Sequence, residues 1–355
     1  MSNGETVSLL TFLGLHVEQT KKPYKPTLAS ELRRRLLLKV FCIDKVVAAI
    51  TGRPPALSRR YVLTPLPLDI SDEVLAGDEK TTAKATSSLD AQGWNPDGAL
   101  YSVTMWRARY RFMQIRDEIF EVALGAESSI SGDAVRALKV KELKAAAELP
   151  IIMQFDESDI RNPKISGQIL YIRLLMLLEH LQNLFFIERL LNRRELLAVS
   201  YELTSATLLF WTNMDGLGFH EDFQWLVMAY AAPGGGILCL ELLQPAVTTN
   251  NTGVAVTDSK GNPITRSSIV QVLSLLVGFL KWVGPQEVNG NICLGCRNIV
   301  QRVLDEALNM GPRSNPAVDG TEWDFPAQLD FNFDLLDTFE WMRPEFSWSE
   351  MPSQD

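Results

Sequence analysis

The sequence predicts an all-α protein, a large multi-helix bundle followed by a disordered acidic tail. Three observations predict it. Apolar residues recur at steps of three and four along much of the chain. No run of alternating β-branched residues lies between hairpin turns. Pro and Gly clusters fall between the periodic stretches rather than inside them.

Leu9–His16 reads as a first helical stretch. Leu36, Val40, Ile43, Val47 and Ile50 then mark one helical face, with Thr27 or Ser30 as its cap. Gly52, Pro54 and Pro55 end that helix, because proline lacks an amide hydrogen and restricts the residue before it. Ile169–Leu191 is apolar nearly all round, as a central buried helix must be. Leu196, Val199, Leu203, Ala206 and Phe210 repeat the helical spacing. Thr265–Val283 and Val288–Met310 follow, separated by Gly284-Pro285. Gly77–Gly98 and Ala246–Pro263 are polar and read as surface loops, with Thr248–Val256 a loop or hairpin at best. Trp225–Leu240 is uncharged but shorter than the ~20 residues of a membrane span, and Pro233-Gly234-Gly235-Gly236 breaks it. It reads as buried core, with no membrane partner. The boundaries drawn are a helical body over 1–310 and a linker with tail over 311–355.

The net charge is −9, which opposes a sequence-independent hold on nucleic acid. From Thr321 to Asp355 nine acids face one base, a net charge of −8, so the body is nearly neutral. The tail interleaves these acids with large apolar groups. Phe331, Leu335, Phe339 and Met342 share one helical face, with Trp341 beside it. Such alternation is the compositional mark of an activation segment that folds into a partner's groove. Packing back onto the body is the competing reading.

Four cysteines in so long a chain suggest free thiols in a reducing compartment. Cys293 and Cys296 fall in a helical apolar stripe and read as core residues. The first residues carry no secretory leader pattern. Enzyme chemistry has no constellation to rest on. His16, His180 and His220 are far apart, His220-Glu221 has no second histidine at zincin spacing, and no Gly-x-Ser-x-Gly elbow occurs. His180 reads as a satisfied core histidine. The chain is therefore not expected to be an enzyme, and no cofactor is expected in it. A helix break at Ala229–Gly236 is where a pocket is expected, at Tyr230, Pro233 and Gly234.

The stretch Glu31–Leu57 has an acidic-basic start (Glu31, Arg33, Arg34, Arg35), a mid-helix Asp44 and a Gly52-Arg53-Pro54 turn. Pro65-Leu66-Pro67-Leu68-Asp69 follows it. This stretch resembles the middle homology region of fungal zinc-cluster transcription factors. Leu196–Leu243, with Trp211-Thr212-Asn213 and Phe223-Gln224-Trp225, and Thr265–Leu308, with Trp282-Val283-Gly284-Pro285, are similar to the same family. The first motif reads as scaffold. Arg53 pairs with Asp44 or caps helix carbonyls, and Arg33–Arg35 form a solvated helix flank.

The resemblance implies a nuclear regulator of RNA polymerase II transcription, with coactivator or chromatin machinery as partner. It also implies a DNA reader built on six cysteines and zinc, which four cysteines cannot supply. Zinc is thus implied only for a cluster absent from this chain, and DNA contact only through that missing domain. The family's first helices and coiled coil are also expected to be absent. A helical sensor of a small-molecule effector, or a chromatin-associated scaffold, are the alternative readings.

Overall fold

The computed structural model describes residues 2–18, 24–125, 131–191, 193–217, 226–243, 255–284, 286 and 290–309. These residues form helices and connecting turns, with one isolated bridge between Thr257 and Pro263. The all-α expectation holds. The predicted tail lies outside the described residues.

Helix α1 (Asn3–Phe12) packs on α2 (Leu28–Thr51). Thr27 caps α2 through a reciprocal pair with Ser30, so both residues proposed as caps take part. Gly52 closes it with a φ of 65°, a left-handed conformation that costs a side-chain-bearing residue strain. Short helices α3 (Asp72–Leu75) and α4 (Glu79–Ser88) follow. Helix α4 corrects the reading of Gly77–Gly98 as loop throughout. Asp78 accepts from the Thr81 amide and starts the helix, which hides in sequence because it buries little beyond Thr82.

Next come α5 (Thr104–Leu124), α6 (Gly132–Ala147), α7 (Gly167–Leu191) and α8 (Arg193–Thr212). The short α9 (Met214–Leu217) precedes a π-helical turn at Val227–Ala231. Three further helices complete the body: α10 (Ala232–Leu243), α11 (Arg266–Trp282) and α12 (Gly290–Asn309).

Two cores organise these helices. The larger takes Ala48 and Ala49 from the end of α2, Trp94, and residues from α5 through α12, and centres on α7, buried on nearly every side as its all-round apolarity predicts. By length and composition α7 is apolar enough to cross a membrane, yet most of it is buried and it holds Arg173, Glu179 and Glu188 in ion pairs. The smaller core joins α1, α2 and Leu57 to Tyr110 and Met113 of α5. Helix α5 thus has one face in each core.

The buried face of α2 only partly matches the predicted one: Val40 is buried and Ile50 packs against the larger core. Leu36 and Ile43 are 50% and 46% exposed, while Leu37, Leu38, Phe41, Cys42 and Lys45 face inward. The sequence offers two apolar stripes on this helix. Charged residues sit on the inner one, which made the outer one look like the core face.

The Pro233-Gly234-Gly235-Gly236 run also departs from expectation. It lies inside the first turns of α10 and does not break the helix. The π-helical turn leads directly into it, and the Ala229 carbonyl, which an amide at 233 would otherwise meet, accepts from Gln182 Nε2 at 2.7 Å. The glycines allow close approach. A Cβ on Gly234 would lie 2.6 Å from Thr204 Oγ1 and 2.8 Å from the Ser200 carbonyl oxygen, and one on Gly235 would meet Leu276 at 2.8 Å.

This geometry sets a paired prediction. Gly234→Ala overpacks α8 against α10 and is expected to destabilise by about 1–3 kcal/mol. A Cβ on Gly295, within α12, meets nothing within 4 Å. Gly295→Ala is expected to stabilise by about 0.5–1 kcal/mol through helix propensity. Urea midpoints of the two variants, read against the parent, check both signs.

Candidate functional site

The residues of the first sequence motif converge on an interior network of paired charges. Asp44 is buried on the side of α2 that meets α1. It accepts from Asn3 Nδ2 at 2.9 Å and from the amides of Ala56 and Leu57 at 3.0 and 3.1 Å. One carboxylate thereby fixes the first helix and the chain that leaves the Gly-Arg-Pro turn. Lys45, fully buried beside it, lies 2.8 Å from Asp44 and 3.0 Å from Asp117 on α5, and donates to the Leu57 carbonyl. Asp117 in turn accepts from the Arg59 amide at 2.9 Å.

Gly52, in the left-handed region, turns the chain so that the Ala56 and Leu57 amides reach Asp44, and Pro54 is exposed in that turn. Arg53 does not pair with Asp44. It is exposed, and backbone amides, Asn3 and Lys45 occupy the carboxylate instead. A neighbouring amide or ammonium, already positioned by the fold, wins over a long side chain that must lose rotamer freedom to reach.

The arginines of the motif are likewise not a solvated flank. Arg34 and Arg35 are buried, and Arg33 alone of the three is exposed. Arg34 pairs with Glu18 at 2.7 Å and with buried Glu31 at 3.3 Å, and stacks on Tyr24 at 3.8 Å. Glu31 accepts from Tyr24 Oη and from the Leu68 amide, each at 2.7 Å. Arg35 pairs with Asp72 and donates to the Ile70 carbonyl. Asp69 closes the circuit, accepting from Thr104 Oγ1 at the start of α5 and from Asn95 Nδ2, each at 2.6 Å. The apolar-Pro-acidic segment is thus a strap from α2 to α5.

A second network lies deeper. Glu179 on α7 meets Arg109 at 2.6 Å and Arg116 at 2.9 Å, both from α5. Burial alone would raise its pKa, but the two guanidinium groups hold it below the ordinary carboxylate value. Arg116 Nε donates to Asn183 Oδ1 at 2.8 Å, and Asn183 Nδ2 donates to Glu142 at 2.9 Å. Glu142 also meets His180 Nδ1 at 2.9 Å, while its burial pushes its pKa up. His180 is therefore a partnered residue at the edge of the core. Sequence reasoning missed Arg109, Arg116, Glu142 and Glu179, and no spacing rule announces them.

Tyr230, Pro233 and Gly234, proposed as a pocket, are buried. Tyr230 sits on the π-helical turn near Glu179, and desolvation pushes its phenol pKa up. Thr204, Ser200 and Leu276 fill the space beside Gly234 and Gly235, so the segment is a packing contact.

Nucleophile and metal chemistry have little to work with. The thiols of Cys42 and Cys239 are buried and pushed up to about 12, so neither is a thiolate near neutral pH. Cys293 and Cys296 sit on α12, and desolvation raises both, to about 11 and 12. Among the described residues no group of three or more His, Cys, Asp or Glu is placed to hold a metal. Phe331, Leu335, Phe339, Trp341 and Met342 lie outside the described residues.

Residues 3–123 match the family model of the fungal specific transcription factor domain. That stretch runs from the start of α1 into the last turn of α5 and contains the whole Asp44–Lys45–Asp117 network. Over 109 residues the chain is 31% identical to the thiamine repressible genes regulatory protein thi1 of Schizosaccharomyces pombe, covering 28% of this chain and 14% of that relative. The chain thus spans a small part of the length of the curated relative it matches. No solved structure matches. The matched family is one of transcription factors and not of enzymes.

A contrast of two neighbouring cations tests the scaffold. Lys45→Met leaves Asp44 and Asp117 buried without their shared cation, and is expected to cost about 3–5 kcal/mol. Arg53→Ala, on the exposed turn, is expected to stay within about 0.5 kcal/mol of the parent. Similar urea midpoints for the two variants would contradict this assignment.

Proposed function

We propose that this chain is the regulatory part of a zinc-cluster-type transcription factor, acting on RNA polymerase II transcription in the nucleus through protein contacts. The observation that carries the reading is the domain match over residues 3–123, whose motif residues are consumed in holding α1, α2 and α5 together. A motif spent on scaffold leaves function to surfaces. Catalysis has no arrangement of groups to support it among the described residues.

DNA contact, on this reading, belongs to a zinc cluster outside this sequence. Several cations are turned inward and paired, among them Arg34, Arg35, Lys45, Arg109 and Arg116, and the net charge of −9 opposes a hold on phosphates. The acidic-aromatic segment 321–350 supplies the contact with coactivator or chromatin machinery, through Phe331, Leu335, Phe339 and Met342 with Trp341 beside them. The body over 1–310 presents it. The relative's name adds a second reading, in which the body responds to a small effector. Thermal stabilisation by a metabolite panel that includes thiamine would favour that reading.

Fusion of residues 321–350 to an unrelated DNA-binding domain is expected to activate a reporter, and Phe331→Ala with Leu335→Ala and Phe339→Ala to abolish it. Equal activation by the triple variant would remove the tail from the proposal. The purified chain is expected not to shift a DNA fragment at physiological salt. A salt-stable, sequence-selective shift would overturn the assignment of DNA contact to another domain.

A further inference from the structure

Arg34, Arg35, Lys45, Arg109, Arg116 and Arg173 are buried, and each lies against a carboxylate at 2.9 Å or less. Among the described residues, Arg107 is the buried cation without such a partner. It is 3% exposed and its bonds go to neutral carbonyl groups. A buried charge left in this state marks a candidate site for an anion.

Arg107 stands in the first turns of α5. Its Nη1 donates to the Pro67 carbonyl and its Nη2 to the Gln92 carbonyl, the latter at 2.9 Å. Gln92 belongs to a tight turn in which Asp90 accepts from the amides of Gln92 and Trp94, each at 2.8 Å. Gly93 takes a φ of 80° there, and a Cβ on it would lie 2.9 Å from Arg107 Nη2. The turn thus closes directly over the guanidinium. Desolvation holds the Arg107 pKa below its ordinary value, Asp69 offsets this in part, and Arg111 adds to it.

Donors are left over around it. Arg107 Nε and Trp94 Nε1 are both buried without an acceptor. Trp94 is 5% exposed, with the Arg107 Cζ 4.8 Å and the Arg111 Cζ 5.2 Å from its ring centre. Arg111, one turn further along α5, is half-buried and meets Glu148 only at 3.9 Å. Two guanidinium groups and an indole N–H therefore gather at one ring with no close carboxylate among them. A water molecule would accept from an N–H there but bring no charge. An anion does both, and both kinds of unmet demand are costly in an interior.

We infer that Trp94, Arg107 and Arg111 form a binding site for the anionic group of a small molecule, a carboxylate or a phosphate. Two oxygens of such a group, each ~2.9 Å from its donor, reach N–H donors on groups whose centres are 4.8 Å apart. Arg111 meets the ligand from the half-exposed side. The occupant ties the Asp90–Trp94 turn to α5, inside the segment that matches the family. That such a ligand alters transcription rests on the effector reading above. The binding itself does not.

The test follows the indole N–H signals of the full chain by NMR, with the Trp94 signal assigned by its absence from Trp94→Phe. Inorganic phosphate and succinate are titrated at constant ionic strength, with chloride as control, and calorimetry on the same samples gives the midpoint without any assignment. A saturable shift of the Trp94 signal is expected, with a midpoint on the order of 1 mM. A response to phosphate alone, to succinate alone or to both names the group that the site takes. Arg111→Gln is expected to raise the midpoint about tenfold, through loss of one charge-assisted contact. Arg107→Lys keeps the charge, removes the Nε donor and is expected to raise it similarly. Arg111 is half-buried, so its variant keeps the test valid if Arg107→Lys disturbs folding.

A shift that never saturates, or one that chloride reproduces, would overturn the proposal. So would saturable binding with the same midpoint in the parent and in both variants, which would place the anion elsewhere. A reporter driven by the full chain fused to an unrelated DNA-binding domain separates the two claims. Activity unchanged by Arg111→Gln, beside a midpoint that has moved tenfold, sinks the effector reading and leaves the site intact.

Discussion

Pairing of buried charge is the constraint on which the rest of this structure depends. An unpartnered ion in a low-dielectric interior costs several kcal/mol, so each buried charge dictates where its partner must stand. Lys45 requires both Asp44 and Asp117, which fixes α2 against α5. Glu179 requires Arg109 and Arg116, which fixes α5 against α7. Three long helices are thus set in mutual register by two charged centres, and apolar packing fills in around them. Leucines alone would tolerate sliding by a turn. A lysine seated between two carboxylates does not.

The same constraint explains which parts were legible in the sequence. Helix ends were readable because local chemistry decides them. Thr27 and Ser30 cap α2, Gly52 closes it in the left-handed region, and Thr265 caps α11. The buried helix α7 was readable because its apolarity leaves no other place for it. Helices α5 and α6 gave no such signal. Arg107, Arg109, Arg111 and Arg116 interrupt the apolar pattern of α5, although three of the four are buried. Binary patterning treats a charged residue as a surface residue, and α5 inverts that rule.

The motif residues show the same limit at finer scale. Asp44 and Gly52 each have a local role in the structure, the one accepting from Asn3, Ala56 and Leu57 and the other closing α2. The partner of Asp44 was not identifiable. Spacing suggested Arg53, nine residues on and beyond a turn. The carboxylate meets Lys45, the very next residue, and amides twelve and thirteen residues on. The glycine run at 234–236 misled for a related reason. Glycine in isolation signals a break, yet here it records how closely α8 and α11 approach α10. That information belongs to neighbouring helices and is not written beside the glycines.

Helix α5 has one face in each of the two cores, and the family match ends in its last turn, at residue 123. The boundary of the recognisable segment is therefore not a boundary of folding. A fragment cut there would carry Phe112, Ile115 and Ile119 into solvent, stripped of the partners that α7 supplies. The extent of the family match and the extent of the core divide this molecule differently. The recognisable segment is, mechanically, only part of a unit, and it leans on α7 beyond its own end.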